Sequence, residues 1–146
     1  MKKLKWHGIM FALFMLFLYV MGTYDIFMML SHNAAYYADK GYGQVVVEYF
    51  TDYPVVGLIF WIGNLVCGLL SPILYLCKKK SAAIIAMTSF ICDFILIILG
   101  VAFRNRLAVF GTNIFCFDLF ILFITLLFAV FLYYQNKENV TSSIRC

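Results

Sequence analysis

The dominant feature of the sequence is a set of four long apolar runs, separated by shorter polar segments. The runs cover about residues 8–30, 54–76, 82–103 and 112–134, and each has 22 or 23 residues. At ~1.5 Å per residue, a helix of this length reaches ~33 Å, which is enough for the ~30 Å hydrocarbon core of a bilayer. Because lipid offers no partner to backbone N–H and C=O groups, such runs form helices. The sequence therefore predicts an all-α integral membrane four-helix bundle with a single transmembrane domain.

The composition supports a lipid environment. Of the 146 residues, 65% are hydrophobic and 12% are charged, whereas a soluble domain carries about 25% charged residues. The net charge of +4 comes from short clusters between the apolar runs. No basic stripe with interleaved aromatic residues lies outside these runs, so nucleic acid is not an expected partner. The lipid bilayer is the expected one.

The lysine and arginine distribution predicts the orientation of the bundle. With the N-terminus inside, the inner segments hold eight basic residues: Lys2, Lys3, Lys5, Lys78, Lys79, Lys80, Lys137 and Arg145. The outer segments then hold three: Lys40, Arg104 and Arg106. Basic residues accumulate on the cytoplasmic side of membrane proteins. Both the N-terminus and the C-terminus are therefore predicted to be cytoplasmic.

The segment from residue 31 to residue 53 is the one sizeable outer loop, and it is rich in aromatic residues. Gly41 and Gly43 divide it, and the part from Gln44 to Phe50 can be helical. Tyrosine often anchors a segment at the membrane interface. The loop is thus either an interfacial anchor or a segment that folds over the mouth of the bundle.

Three acids and one asparagine inside the apolar runs are candidates for function, because such groups are costly to place in lipid. Asp93 and Asn64 are the twelfth and eleventh residues of their spans, near the midplane. Asp25 and Asp118 lie ~8–9 Å below the outer interface by helical rise. No charged residue falls in the inner half of any span.

Small and polar residues recur on one face of each predicted span, at steps of three, four or seven residues. The residues of this face are Gly22 and Asp25; Gly57, Asn64, Gly68 and Ser71; Ala82, Ala86, Ser89, Asp93 and Gly100; and Asp118, Thr125 and Ala129. Membrane helices pack closely through such residues. We therefore expect these faces to meet inside the bundle, leaving Leu, Ile and Phe for lipid.

Two interpretations of the buried polar residues remain open. In the structural one, Asn64 and Asp93 form a hydrogen bond between helices, while Asp25 and Asp118 pair with Arg104, Arg106 or a protonated partner. In the functional one, the acids form an outward-facing site for a cation or a proton. Asp93 is then the deepest group, and proton exchange is chemically available to a carboxyl at that depth.

The region from Tyr24 to Ser89 resembles a group of small bacterial membrane proteins. The shared pattern is YD-x-x-M, N-x-A-Y, Y-F-T-x-x-P, a tryptophan-bearing helix and a triple-basic turn, here Tyr24-Asp25, Met28, Asn33, Ala35-Tyr36, Tyr49-Phe50-Thr51, Pro54, Phe60-Trp61 and Lys78-Lys79-Lys80. The resemblance implies a four-helix protein of the bacterial inner (cytoplasmic) membrane. It implies no established activity, although members are sometimes labelled sugar transporters. It adds Asn33 and Tyr36 to Asp25 as candidate site residues, whereas Asp93 lies outside the pattern.

These features suggest two classes of function. The first is a small transporter-like protein that binds a substrate or ion through Asp25, Asn33, Tyr36, Asn64, Asp93 and Asp118, and that needs a homodimer because four helices enclose little space. The second is an accessory or structural protein that binds another membrane protein through its aromatic outer loop. An enzyme is less expected, since the sequence carries no nucleophile, metal or phosphate-loop motif. No cofactor or metal is expected either, because His7 and His32 lie at opposite ends of the first span and no cysteine pair has C-x-x-C spacing.

Overall fold

A computed structural model of the chain describes residues 5–144, and the side chains of residues 5–137. In chain order its helices are α1 (Trp6–Leu30), α2 (Ala34–Asp39), α3 (Gln44–Thr51), α4 (Val55–Leu76), α5 (Ala82–Arg104) and α6 (Arg106–Ile144). Helices α1, α4, α5 and the part of α6 from Arg106 to Lys137 are long and apolar enough to cross a membrane. The predicted all-α architecture, with four helices able to span a membrane, is thus confirmed, and α3 matches the helix predicted in the outer loop.

Helix α6, which corresponds to the fourth predicted span, is longer and less regular than that span. Asn105 ends α5 in the left-handed conformation, with φ 47°, and α6 begins at the next residue. Gly111 interrupts α6 with φ 78° and ψ 173°, a backbone conformation that glycine adopts without steric cost. A short turn, 106–110, therefore precedes the long helix that follows Gly111.

The bundle buries the small and polar faces of α4 and α5 and part of that of α6, as the spacing predicts, whereas Gly22 and Asp25 of α1 and Asp118 of α6 are only half-buried. Buried residues include Gly57, Asn64, Gly68 and Ser71 on α4, Ala82, Ala86, Ser89, Asp93 and Gly100 on α5, and Thr125 and Ala129 on α6. Large apolar side chains point outward on every long helix: Phe17 is 60% exposed, Ile59 62%, Ile84 70% and Phe123 58%. Such a surface suits hydrocarbon rather than water.

We call the end of the bundle that carries the α4–α5 turn the inner end, after the orientation that the basic residues predict. Asn136 donates a hydrogen bond to the Lys80 carbonyl here, with 2.8 Å between Nδ2 and O. Four aromatic rings, from Phe11, Tyr75, Phe128 and Phe131, contact one another and fill this end. Of the inner basic residues, Lys2, Lys3 and Arg145 lie outside the described residues.

Helices α2 and α3 lie at the opposite, outer end of the bundle. An outer aromatic cluster forms there from Tyr49, Phe50, Tyr53, Trp61 and Phe110, whose ring centroids lie 5.1–5.9 Å apart in contacting pairs. Its members come from α3, the α3–α4 connection, α4 and α6. The aromatic loop therefore folds over the mouth of the bundle, one of the two arrangements that its composition allows.

Candidate functional site

A hydrogen-bond network at mid-bundle joins all four long helices through Tyr19. The Tyr19 hydroxyl oxygen lies 2.9 Å from Oγ1 of Thr125, 3.0 Å from Oγ of Ser89 and 3.3 Å from Oδ1 of Asn64. Asn64 in turn donates from Nδ2 to Oδ1 of Asp93 over 3.1 Å. All five residues are buried. In a membrane bundle, where helices associate without a hydrophobic driving force, such contacts help to fix their packing.

The hydroxyl groups of this network have acceptors within the bundle. Thr125 donates to the Ile121 carbonyl over 2.8 Å, which leaves its Oγ1 free to accept from Tyr19. Ser89 lies within donating distance of two oxygens of Asn64, the backbone carbonyl at 2.9 Å and Oδ1 at 2.7 Å. The Asn64 amide is oriented because its oxygen faces the Ser89 donor and its nitrogen faces the Asp93 carboxyl.

Asp93 has one carboxyl oxygen that the network does not use. Its Oδ1 accepts from Asn64, whereas its Oδ2 is buried and has no hydrogen-bond partner among the described residues. A buried polar atom without a partner costs free energy, more so when it carries charge. Asp93 Oδ2 is therefore able to accept a proton, a cation or a donor from a bound molecule.

A cavity of about 340 Å³ lies directly above this network and opens toward the outer end. Asn64, Asp93, Thr125 and Tyr19 form its deep end. The other polar residues of its wall are Asp25, Lys40, Tyr42, Tyr53, Arg106 and Asp118, and the rest of the wall is mainly apolar. Its volume falls within the ~300–1,000 Å³ that small-molecule sites have.

Asp118 on the cavity wall forms a two-contact ion pair with Arg106. Nε of Arg106 lies 2.8 Å from Oδ2 of Asp118, and the second guanidinium nitrogen lies 3.2 Å from Oδ1. The two side chains are only 19% and 20% exposed. This planar geometry, in which both carboxylate oxygens accept, is the strong form of such a pair. The negative charge of Asp118 is therefore already balanced.

Asp25, the third acid of the cavity wall, is bound to α2 rather than to an arginine. The Tyr36 hydroxyl donates to Oδ1 of Asp25 over 2.5 Å. Asn33 caps α2, since its Oδ1 accepts from the Tyr36 backbone N–H over 2.9 Å. Neither Asn33 nor Tyr36 belongs to the residues that line the cavity. Both therefore position the short helix, and Asp25 is the one of the three that faces the cavity.

Arg104 is not a partner of the acids, in contrast to the pairing considered from the sequence. It donates from its guanidinium to the Tyr49 carbonyl. Its guanidinium carbon lies 4.8 Å from the Tyr49 ring centre and 5.8 Å from that of Tyr53. A guanidinium can stack on aromatic faces, so these rings can hold Arg104 without a carboxylate partner. The outer aromatic cluster, which the sequence did not place near α5, holds this residue.

The tyrosines above the cavity are neutral donors over the physiological range. Burial raises the pKa of Tyr53 to about 12. Burial, and after it the hydrogen bond to Asp25, raises the pKa of Tyr36 well above its usual range. Burial also raises the pKa of Tyr42. Because desolvation disfavours the phenolate, these groups donate rather than carry charge.

Tyr19, which joins the four helices, was not among the residues singled out from the sequence. It lies in the interior of an apolar run, where a tyrosine is easily taken for another large apolar residue. One signal was present: Gly68 is on the predicted polar face of α4, and its missing side chain makes room for the Tyr19 ring. Lys40, Tyr42 and Tyr53 were also not singled out as lining residues, because their approach to the cavity depends on how the loop folds.

Comparison of the chain with models of protein families, with curated proteins and with solved structures found no match.

Proposed function

We propose that this chain is a small transporter-like protein of the bacterial inner membrane, with both termini in the cytoplasm and an outward-facing cavity that binds a cation or a proton. The observation that carries the proposal is the position of Asp93. Its unpartnered Oδ2 lies at the deep end of a cavity that opens toward the outer end of the bundle. An ionisable residue at this depth is a functional candidate by default.

The charges around the cavity favour a positive ligand. Three carboxyls and two cationic side chains line it. The Arg106–Asp118 pair balances itself, which leaves Asp25 and Asp93 against Lys40. Lys40 lies near the mouth, with its Nζ 5.5 Å from the centre of the Tyr36 ring. The acids are thus in excess, and the deeper of the two unpaired ones is Asp93. A cation or proton that reaches it removes the cost of an isolated buried charge.

The inner end of the bundle is closed, so this arrangement is an outward-facing one. Below the Tyr19 network the rings of Phe11, Tyr75, Phe128 and Phe131 pack together. Transport would therefore need these inner helix ends to separate while the outer ends approach, which is the logic of alternating access. We propose that a homodimer supports that movement, since four helices alone offer little surface against which one part of the bundle can move relative to another.

The alternative, an accessory protein that binds a partner through aromatic residues of the outer loop, has less support. Tyr37, Tyr49 and Phe50 are only 4%, 5% and 3% exposed. Their rings contact other parts of the same chain. Aromatic residues that are used to cover the bundle are not available to anchor a partner.

Reconstitution in liposomes tests the proposal. Proton entry is followed with an enclosed pH-sensitive dye, and sodium or potassium entry with a matching cation dye, under imposed gradients. We expect flux from the wild type and loss of flux from Asp93→Asn. Asp39→Asn makes the same chemical change at the exposed last residue of α2 and should keep the flux. Absence of proton and cation flux from the wild type under every gradient would refute a transport role.

A further inference from the structure

Between α1 and α6 the wall of the cavity is formed by side chains that are themselves largely exposed. These two helices approach each other closely below the cavity, where the ring centres of Phe11 and Phe128 lie 5.0 Å apart and Tyr19 contacts Thr125. Above that level the cavity separates them. Met21 of α1 and Phe117 of α6 both line the cavity, and they are 45% and 57% exposed.

The depth of these two residues indicates which solvent this part of the wall faces. Met21 lies nine residues before the end of α1 at Leu30, which places it ~13 Å below that end at 1.5 Å per residue. Phe117 lies six residues after the break at Gly111, or ~9 Å below it. Both depths fall within the outer half of a ~30 Å hydrocarbon core. An opening between these two residues would therefore be a lateral one that faces lipid chains.

Building on the proposed function, we infer that the ligand of this cavity is an amphiphilic amine, a protonated amino group on a hydrocarbon chain, which enters from the outer leaflet through the gap between Met21 and Phe117. The ammonium group donates to Oδ2 of Asp93. The chain lies against the apolar wall and leaves the cavity through the gap into the bilayer. A molecule of this class matches both the acid at the deep end and the apolar wall between α1 and α6.

The chemistry of the deep end selects a donor that carries positive charge. Asp93 offers an acceptor without a partner, whereas the Asn64 oxygen is already used by Ser89. An ammonium group has three donors and no acceptor, so it matches a carboxylate and gains nothing from the neighbouring amide nitrogen. A carboxylate or phosphate head group would meet Asp93 with like charge.

The hydrocarbon chain of the ligand determines its route of entry and contributes little to the selectivity of binding. Lipid tails are as apolar as the cavity wall, so a chain that moves from one to the other gains little. Discrimination among amphiphiles must then come from the head group. We therefore expect the affinity for a long-chain amine to depend on Asp93 far more than the affinity for an alcohol of the same chain length.

Tryptophan fluorescence measures this binding directly. The chain has two tryptophans, and Trp6→Phe leaves Trp61, which lines the cavity, as the sole reporter. The protein is placed in phosphatidylcholine nanodiscs and titrated with decylamine, decanol and methylamine. We expect a saturable change with decylamine, whose affinity falls about tenfold or more in Asp93→Asn, as for loss of a charge-assisted contact. Decanol should give only the unsaturable change caused by partition into lipid, in both proteins.

A photoreactive decylamine with a diazirine at the chain end tests the lateral route. We expect cross-links to Met21 or Phe117 that disappear in Asp93→Asn and persist in Asp39→Asn. Asp93→Glu, which keeps the carboxyl, should retain part of the signal and thereby separates charge from folding.

Three results would overturn the inference. Saturable binding of methylamine without binding of decylamine would leave the proposed cation site intact and refute the amphiphile. Asp93-dependent cross-links confined to Lys40 and Tyr42 at the mouth would refute the lateral route. Equal responses of wild type and Asp93→Asn to decylamine, with neither protein supporting cation or proton flux, would refute the inference together with the function on which it rests.

Discussion

The ring of Tyr19 lies directly over Gly68, so that a Cβ at position 68 would be 2.1 Å from the nearest ring carbon. This contact brings α1 and α4 close enough for the Tyr19 hydroxyl to reach Ser89 and Thr125 on the other two long helices. The absence of one side chain on α4 thus allows the network that forms the deep end of the cavity.

Gly68→Ala should therefore destabilise the bundle. The added methyl group would have to displace an aromatic ring that is 97% buried, since Tyr19 is 3% exposed. We expect a loss of about 1–3 kcal/mol in the free energy of unfolding, as for other overpacked cores. Unfolding in mixed micelles measures it. Gly22→Ala is the matched control, because its Cβ would lie 3.4 Å from Leu65, and a loss of the same size there would contradict the account.

Tyr19→Phe should keep the ring contact and remove the hydroxyl that the other helices share. Thr125 and Ser89 keep partners in the Ile121 carbonyl and in Asn64, so the network is weakened rather than abolished. We expect a loss of ~0.5–2 kcal/mol in unfolding free energy, in line with interhelical hydrogen bonds in membranes. Tyr134→Phe, at a residue that is 60% exposed, should be neutral. Equal effects of the two substitutions would indicate that the hydroxyl contributes nothing.

The Arg106–Asp118 pair should show positive coupling in a double-mutant cycle. Each single change, Arg106→Gln or Asp118→Asn, leaves a largely buried partner charged and uncompensated, whereas the double change removes both charges. We expect a coupling energy of ~1–3 kcal/mol in unfolding free energy, the range for residues in direct contact. Additive single effects would show that the pair does not act as a unit.

The stability of the outer end should decrease at alkaline pH. The pKa of Tyr53 is raised from 10.0 to about 12 in the folded chain by burial, so the unfolded chain loses this proton first. The stabilisation is complete below pH 10 and is lost as the pH rises from 10 through 12. Tyr53→Phe should flatten the decline measured by unfolding between pH 9 and 12. An unchanged slope would mean that Tyr53 does not contribute.

The four spans could be predicted from the sequence because length and hydropathy are local properties. In lipid, an apolar run of this length can satisfy its backbone hydrogen bonds only as a helix. The buried faces of α4 and α5 were predictable for the same reason, since Asn64, Ser89 and Asp93 recur at helical spacing. The Asn64–Asp93 hydrogen bond followed from their equal depth. Such inferences need only the periodicity of one helix and its position in the bilayer.

The parts that could not be predicted depend on how the helices turn toward one another. Tyr19 is central because α1 is rotated to place it over Gly68, and no local pattern specifies that rotation. The partner of Arg104 depends on where α3 folds, and the partner of Asp25 proves to be Tyr36 of the loop. The break at Gly111 needs a positive φ that a glycine allows but does not require.

The central claim is that Asp93 lies at the deep end of a water-accessible cavity and not in a helix contact from which water is excluded. The accessibility of position 93 to a water-soluble reagent tests this claim. Asp93→Cys and Ile91→Cys are placed in a background without the native cysteines, and a charged, membrane-impermeant methanethiosulfonate is added to intact cells. Ile91 lies at nearly the same depth and is 49% exposed on the bundle surface. Because only a thiolate in water reacts, we predict modification of Cys at 93 and none at 91. No modification at either position, in protein shown to be folded, would contradict the account.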